Sequence, residues 1–355
     1  MPPVATSRTR FAQLTRARTA IAFACLAAFT VACLLSLGDR ALRVENRTRD
    51  TDLNMYRRVV NRLHAGEGYY SALGSELRKG GYPSRSVLNW RTPFHLELLA
   101  MAGEPVSRWA LIVLAFIACL MAGIATGRSG GPWLWLGQVI ITLLAVSNCF
   151  LFDQDFYLFA EVWTGVLLVI SVCSYELECW PVGVACGILA LFIRELAGPF
   201  VVVGLGFALW RRRNAEALAW LVGLALWAAY FLAHASVVRA AILPTDIAET
   251  GWVTMGGLHF VVTTTLMSLL VGLPDWGAAL FLPAMLFGLA GWRTGIGNRV
   301  AMTVAVYLAI FCVVGKPINM YWGAVTNPML AFGLVWFLPS VVDFGRSLLR
   351  RQSGS

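Results

Sequence analysis

Charge is scarce in this chain of 355 residues. Only 13% of them are charged and 58% are hydrophobic, with a mean hydropathy of +0.69. Soluble domains carry roughly twice that charge, so a water-soluble enzyme or binding domain is excluded. Lysine is nearly missing, with Lys79 and Lys316 alone. The arginine bias reads as the base composition of a GC-rich bacterial genome, not as a nucleic-acid-binding surface. The 4 histidines (His64, His95, His234, His259) are scattered without metal-ligand spacing. No two of the 8 cysteines form a C-x-x-C pair, and nearly all sit in apolar runs. They read as small hydrophobes, not as disulfide or zinc ligands. Internal repeats and low-complexity tracts are also missing.

What the chain does have is apolar runs. A membrane span takes about 20 mostly apolar residues. Ten runs qualify as spans, at 18–38, 107–127, 132–151, 158–175, 180–193, 196–210, 214–236, 277–292, 298–314 and 322–341. The expected fold is all-α: one polytopic membrane domain over 1–355, with about ten transmembrane helices. The first run follows Arg8, Arg10, Arg16 and Arg18 and exceeds the ~7–15 residues of a signal-peptide core. It reads as an uncleaved span. The stretch 253–273 is ambiguous. Counting it as a span would put Arg293, Arg299, Arg346, Arg350 and Arg351 outside, against the positive-inside rule. A re-entrant or interfacial helix within an external loop over 239–276 is expected instead.

With both termini cytoplasmic, the loops and tails inside hold 13 basic residues and only Glu176, Glu178, Glu216 and Asp343 as acids, a surplus equal to the whole net charge of +9. The expected setting is a bacterial inner membrane, with the carboxylates concentrated on the extracytoplasmic face. The longest external segment, 39–106, exceeds a simple connector. Leu53, Tyr56, Val59, Val60 and Leu63 recur at helical spacing opposite Arg57, Arg58 and Arg62, which predicts an amphipathic surface helix. Gly66-Glu67-Gly68 ends it, and Gly80-Gly81-Tyr82-Pro83 marks a turn.

The span centres are almost free of charge, which disfavours ion-coupled transporters and channels. Charge gathers where spans meet the outer interface. Asp50 and Asp52 follow the first span, and a carboxylate there suits a general base. Asp52 also reads as an N-cap. Asp153-Gln154-Asp155 with Glu161 could position a sugar or a cation, or form a solvated loop. Arg194 suits phosphate oxygens, while Arg194-Glu195 also reads as an ion pair. Lys316 could receive a phosphate or snorkel beside the belt aromatics Tyr321 and Trp322. Arg91-Thr92-Pro93 lies in the long loop.

In order along the chain, these segments resemble the GT-C superfamily of integral-membrane glycosyltransferases, which use polyprenyl-phosphate sugars, in its mannosyltransferase-like branches. The resemblance rests on Asp52 with Tyr56, Gly66 to Tyr70, Arg91 to Phe94, Phe159 to Trp163, Ile193 to Ala197, and Tyr321 to Pro328. Each motif is short; order and topology carry the likeness. It implies inverting transfer of a sugar from a polyprenyl-phosphate donor to a glycan, lipid or protein acceptor, with Asp52 as base and Asp50 as its alternative. It places Tyr56, Arg91, Glu161, Arg194, Glu195, Lys316 and Tyr321 around the substrates. A phosphate carrier is already a competent leaving group, so no cofactor or metal is required, although a divalent cation is compatible with the acidic residues. The other reading is a non-catalytic lipid-carrier transporter or envelope-assembly protein.

Overall fold

The computed structural model describes residues 9–38, 52–130, 133–149, 155–249, 251, 253–267, 270 and 273–349. They form an all-helical membrane protein with no strand among the described residues. Every one of the ten apolar runs becomes a helix. They are α1 (Arg16–Gly38), α5 (Glu104–Gly130), α6 (Leu136–Ser147), α7 (Ala160–Glu176), α8 (Trp180–Ile193), α9 (Gly198–Trp210), α10 (Asn214–Ala241), α12 (Asp275–Gly291), α13 (Gly295–Val313) and α14 (Gly323–Leu349). Between them lie α2 (Asp52–His64), α3 (Tyr69–Lys79), α4 (Pro93–Ala102) and α11 (Gly257–Thr264).

Five of these helices are long and apolar enough to cross a membrane: α1, α5, α10, α13 and the one ending at Leu349. Helices α6, α8 and α12 are apolar but shorter, as is α9 taken with the turn before it. At ~1.5 Å per residue, 12–17 residues fall short of a ~30 Å hydrocarbon core. The long helices turn large apolar side chains such as Ile21, Phe116 and Leu232 outward. That is the surface a bilayer demands.

The centre of the bundle is α7. Every residue from Glu161 to Ser174 is buried, with α5, α8, α13 and α14 packed around it. Such a helix is apolar on all sides because it has no solvent face. Its approach to α14 needs Gly165, where an added Cβ would overlap the Ala324 carbonyl. Helices α12 and α14 come closer still. A Cβ on Gly288 would overlap the Gly333 backbone, and one on Gly333 would overlap Met285. Without hydrophobic drive between helices in lipid, such small-residue contacts let dispersion hold the bundle.

The amphipathic helix expected after the first span is α2. It buries Met55, Val59 and Val60 against α3 and α4. Its arginines face carboxylates: Arg58 on Glu76 at 2.6 Å, Arg62 on Glu67 at 2.6 Å and Glu76 at 2.9 Å, and Arg57 on Asp155. Gly66 leaves the helix at φ +89, a region that L side chains avoid. Pro93 opens α4 at a position where its missing N–H costs nothing. Arg78 binds Asp246 at 2.7 Å and the Ala241 carbonyl at 2.8 Å, tying α3 to the end of α10. Helix α11 has eight residues, about 12 Å of rise, too short to span. It packs against α1, α12 and α13.

Candidate functional site

At the end of the bundle that carries α2–α4, four separate parts of the chain bring their ionisable groups together. The α8–α9 junction supplies Arg194 and Glu195, the start of α7 supplies Glu161, the α3–α4 loop supplies Arg91, and the turn before α14 supplies Tyr321. Tyr56 on α2 closes the cluster.

Arg194 is 1% exposed. Its Nε donates to Glu161 Oε1 at 2.6 Å, and its Nη1 donates to Glu195. Arg91 donates to the same Glu195 oxygen at 3.3 Å, to the Tyr56 hydroxyl at 3.3 Å and to the Tyr321 hydroxyl at 3.4 Å. A continuous chain thus runs Tyr321–Arg91–Glu195–Arg194–Glu161. Two guanidinium groups and two carboxylates cancel, and each buried charge has a partner, as burial requires. Sequence adjacency suggested Arg194 with Glu195; the more deeply buried contact is with Glu161, 33 positions away.

The surroundings hold this geometry. The Tyr69 hydroxyl donates to the Arg91 carbonyl at 2.5 Å. Phe159 stacks on Tyr321 with ring centroids 5.7 Å apart. Trp90, 1% exposed, is fixed by its indole N–H on the Ser84 carbonyl at 2.7 Å. His95 reaches the Leu158 carbonyl at 3.2 Å. Burial pushes the His95 imidazole down to about 4, so it is neutral at physiological pH. Burial raises the Tyr56 phenol above its ordinary value; Arg91 opposes this, and Asp52 and Glu161 add to it. A small cavity lies between Tyr56, Arg91, His95 and Glu161, with about 20 Å³ of open space, room for roughly one water.

Asp52 opens α2 one helical turn before Tyr56. Its carboxylate accepts from the Tyr82 hydroxyl at 2.6 Å, so it sits at the edge of the cluster and not in the Arg–Glu chain. Asp50 lies outside the described residues, as do Asp153 and Gln154. Asp155 faces Arg57. Lys316 binds Glu249, which also accepts from Asn89 at 3.0 Å. Lys316 therefore stands apart from the chain joining the other candidates. Among the described residues, no three His, Cys, Asp or Glu side chains converge as metal ligands.

Sequence reasoning missed His95 as part of this site, and it placed Tyr69 and Phe159 in the resembling segments without giving either a role. His95 shares α4 with no other charged candidate. Only its spacing from Arg91, four residues along a loop that turns into a helix, could have singled it out. Comparison with known proteins finds no matching family model, no matching curated protein and no matching solved structure.

Proposed function

We propose that this chain is a membrane glycosyltransferase, moving a sugar from a polyprenyl-phosphate donor to a glycan, lipid or protein acceptor with inversion. In this reading all ten apolar helices cross or enter the membrane. Both termini are cytoplasmic, and the α2–α4 end faces the extracytoplasmic side. Asp52 takes the proton from the acceptor hydroxyl as its oxygen attacks the anomeric carbon, a step for which a positioned base contributes roughly 100- to 10,000-fold. The bond to the carrier phosphate breaks, and negative charge gathers on the leaving oxygen. Arg91 and Arg194 stabilise that charge, with Lys316 at the flank.

The observation that carries this reading is the convergence of Arg91, Arg194, Glu161, Glu195, Tyr56 and Tyr321 beside the helix that begins with Asp52. Cations held where several helix ends of an apolar bundle meet suit a lipid-linked phosphate. The cluster is closed and charge-balanced as it stands. Donor phosphate must therefore displace Glu195 from one guanidinium, and the loop helices must part to admit it.

One feature favours the second reading, a non-catalytic lipid-carrier transporter or envelope-assembly protein: the Arg–Glu chain satisfies itself without any ligand. The deciding experiment offers purified protein a panel of radiolabelled polyprenyl-phosphate sugars with membrane-lipid acceptors. Transfer by the wild type, abolished in Asp52→Asn with folding intact, supports the enzyme. Neither transfer nor donor binding with any sugar moves the assignment to the second reading. Full transfer by Asp52→Asn removes Asp52 as base and passes the test to Asp50.

A further inference from the structure

A second site lies at the other end of α7, away from the Arg–Glu chain. Here the α7–α8 and α9–α10 connections enclose a cavity of about 530 Å³ lined by Tyr175, Glu178, Trp180, Arg213, Asn214 and Glu216. Its volume falls in the range of small-molecule sites. Its inner wall is fixed. Glu216 accepts from Arg299 at 3.1 Å and Arg213 at 3.5 Å. The Arg299 guanidinium lies 3.7 Å from the centre of the Tyr175 ring, a close cation–π contact. Glu216 is thus neutralised within the protein. The Tyr175 hydroxyl is shielded from solvent beside Glu216 and the Trp220 indole.

The outer wall is different. Glu178 and Arg213 are both exposed, and they sit on separate connections bounding the same space. Glu178 makes no ion pair among the described residues. Its backbone is held at φ +61, a region uncommon for a non-glycine residue. A cavity offering one cation and one anion from opposite loops discourages a simple anion or a simple cation. It matches a ligand that carries both. Large apolar side chains lie within three residues of the lining along the chain: Val182 in the first turn of α8, Trp210 at the end of α9 and Leu218 near the start of α10, all exposed. Exposed apolar side chains on the helices next to a charged rim suit the acyl chains of a lipid.

We propose that this cavity binds a phosphoamine headgroup, with phosphate on Arg213 and ammonium between Glu178 and the Trp180 ring, and that a phospholipid supplies it. The site is independent of the sugar-transfer reading, and its test needs no activity. Native mass spectrometry of the full-length protein in detergent would be run with phosphatidylethanolamine, phosphatidylglycerol and water-soluble glycerophosphoethanolamine. One phosphatidylethanolamine should be retained in preference to phosphatidylglycerol. Arg213→Gln and Glu178→Gln should each weaken it about tenfold, the scale of one hydrogen bond to a charged group. Both side chains are exposed, and Arg299 stays on Glu216 when the longer Arg213 contact is lost, so neither change threatens the fold. Glycerophosphoethanolamine binding as tightly as the lipid keeps the headgroup chemistry but makes a soluble metabolite the source. Equal retention of the two lipids, or retention indifferent to both substitutions, overturns the proposal.

Discussion

Removing Arg194 tests the logic of the buried cluster most directly. Its guanidinium is enclosed, and Glu161, with a side chain 6% exposed, receives its Nε at 2.6 Å. Arg194→Met keeps much of the apolar stem but leaves the Glu161 carboxylate buried without its cation. Breaking a buried pair from one side costs about 3–5 kcal/mol. Glu161→Gln alone strands the guanidinium less severely, because Glu195 still accepts from it. Removing both charges together should restore most of the lost stability, since a neutral pair of similar volume has no charge to desolvate. The double-mutant cycle should therefore show a coupling of at least about 2 kcal/mol. The assay is unfolding in detergent, followed by tryptophan fluorescence under a denaturing-detergent titration. An Arg194→Met cost under about 1 kcal/mol, or additivity of the two single changes, would show that the Arg194–Glu161 contact is not a coupled buried pair. Sugar transfer then separates roles: a double variant that is stable but inactive assigns the pair a function beyond support.

Gly288→Ala should destabilise the bundle by about 1–3 kcal/mol, the usual cost of overpacking, because the new methyl meets the Gly333 backbone; Gly206→Ala on α9, where a Cβ meets open space, is the control in the same thermal assay. Acid should loosen the α3–α10 contact. Hydrogen bonds from Arg78 hold the Asp246 carboxyl down to about 2, so its contribution is complete above the unfolded value near 4 and fades as pH falls through 2. Wild type should exceed Asp246→Asn by on the order of 1 kcal/mol at neutral pH, allowing for screening at the partly exposed Arg78, and in a pH series of unfolding curves the gap should narrow below about pH 4 and close only below about pH 2. A gap that widens with acidification would contradict the pairing.

The helices were legible because lipid imposes a simple code. A run from 180 to 193 bounded by Cys179 and Arg194 can only close its backbone hydrogen bonds as a helix, and α8 follows those limits. Helix α2 was legible for another reason: its apolar positions repeat with helical period between charged ones. The lengths were less legible. Composition cannot distinguish α7, buried on every side, from α1, bare on most of its surface, because both faces of the problem are apolar. Likewise the sequence placed Glu161 and Arg194 in separate clusters. Their union depends on how α7 and α8 pack, a close approach that at the far end of the pair needs Gly183 against Tyr175 and Ser171, and not on any local motif.

The distribution of ionisable groups has its own physical logic. A bundle whose helices are apolar throughout can tolerate buried charge only where several helix ends meet and partners can be supplied from different segments. Both ends of α7 meet that condition, and the two solutions differ. At the Glu161 end, the partners come from four segments, and the charges close on one another around room for roughly one water. At the Glu176 end, Arg299 and Glu216 satisfy each other against Tyr175, while Glu178, and Arg213 with only a 3.5 Å contact to Glu216, remain exposed on a cavity of about 530 Å³. Self-satisfied charge fixes helices relative to one another; charge left on an open rim is available to a ligand. The first arrangement must rearrange before it can bind a phosphate, whereas the second can bind as it stands. Ligand binding at the Glu161 end should therefore be slow and accompanied by movement of α2, and binding at the other end should be fast. Stopped-flow tryptophan fluorescence with each ligand separates the two, and equal rates would show that the closed Arg–Glu chain poses no barrier.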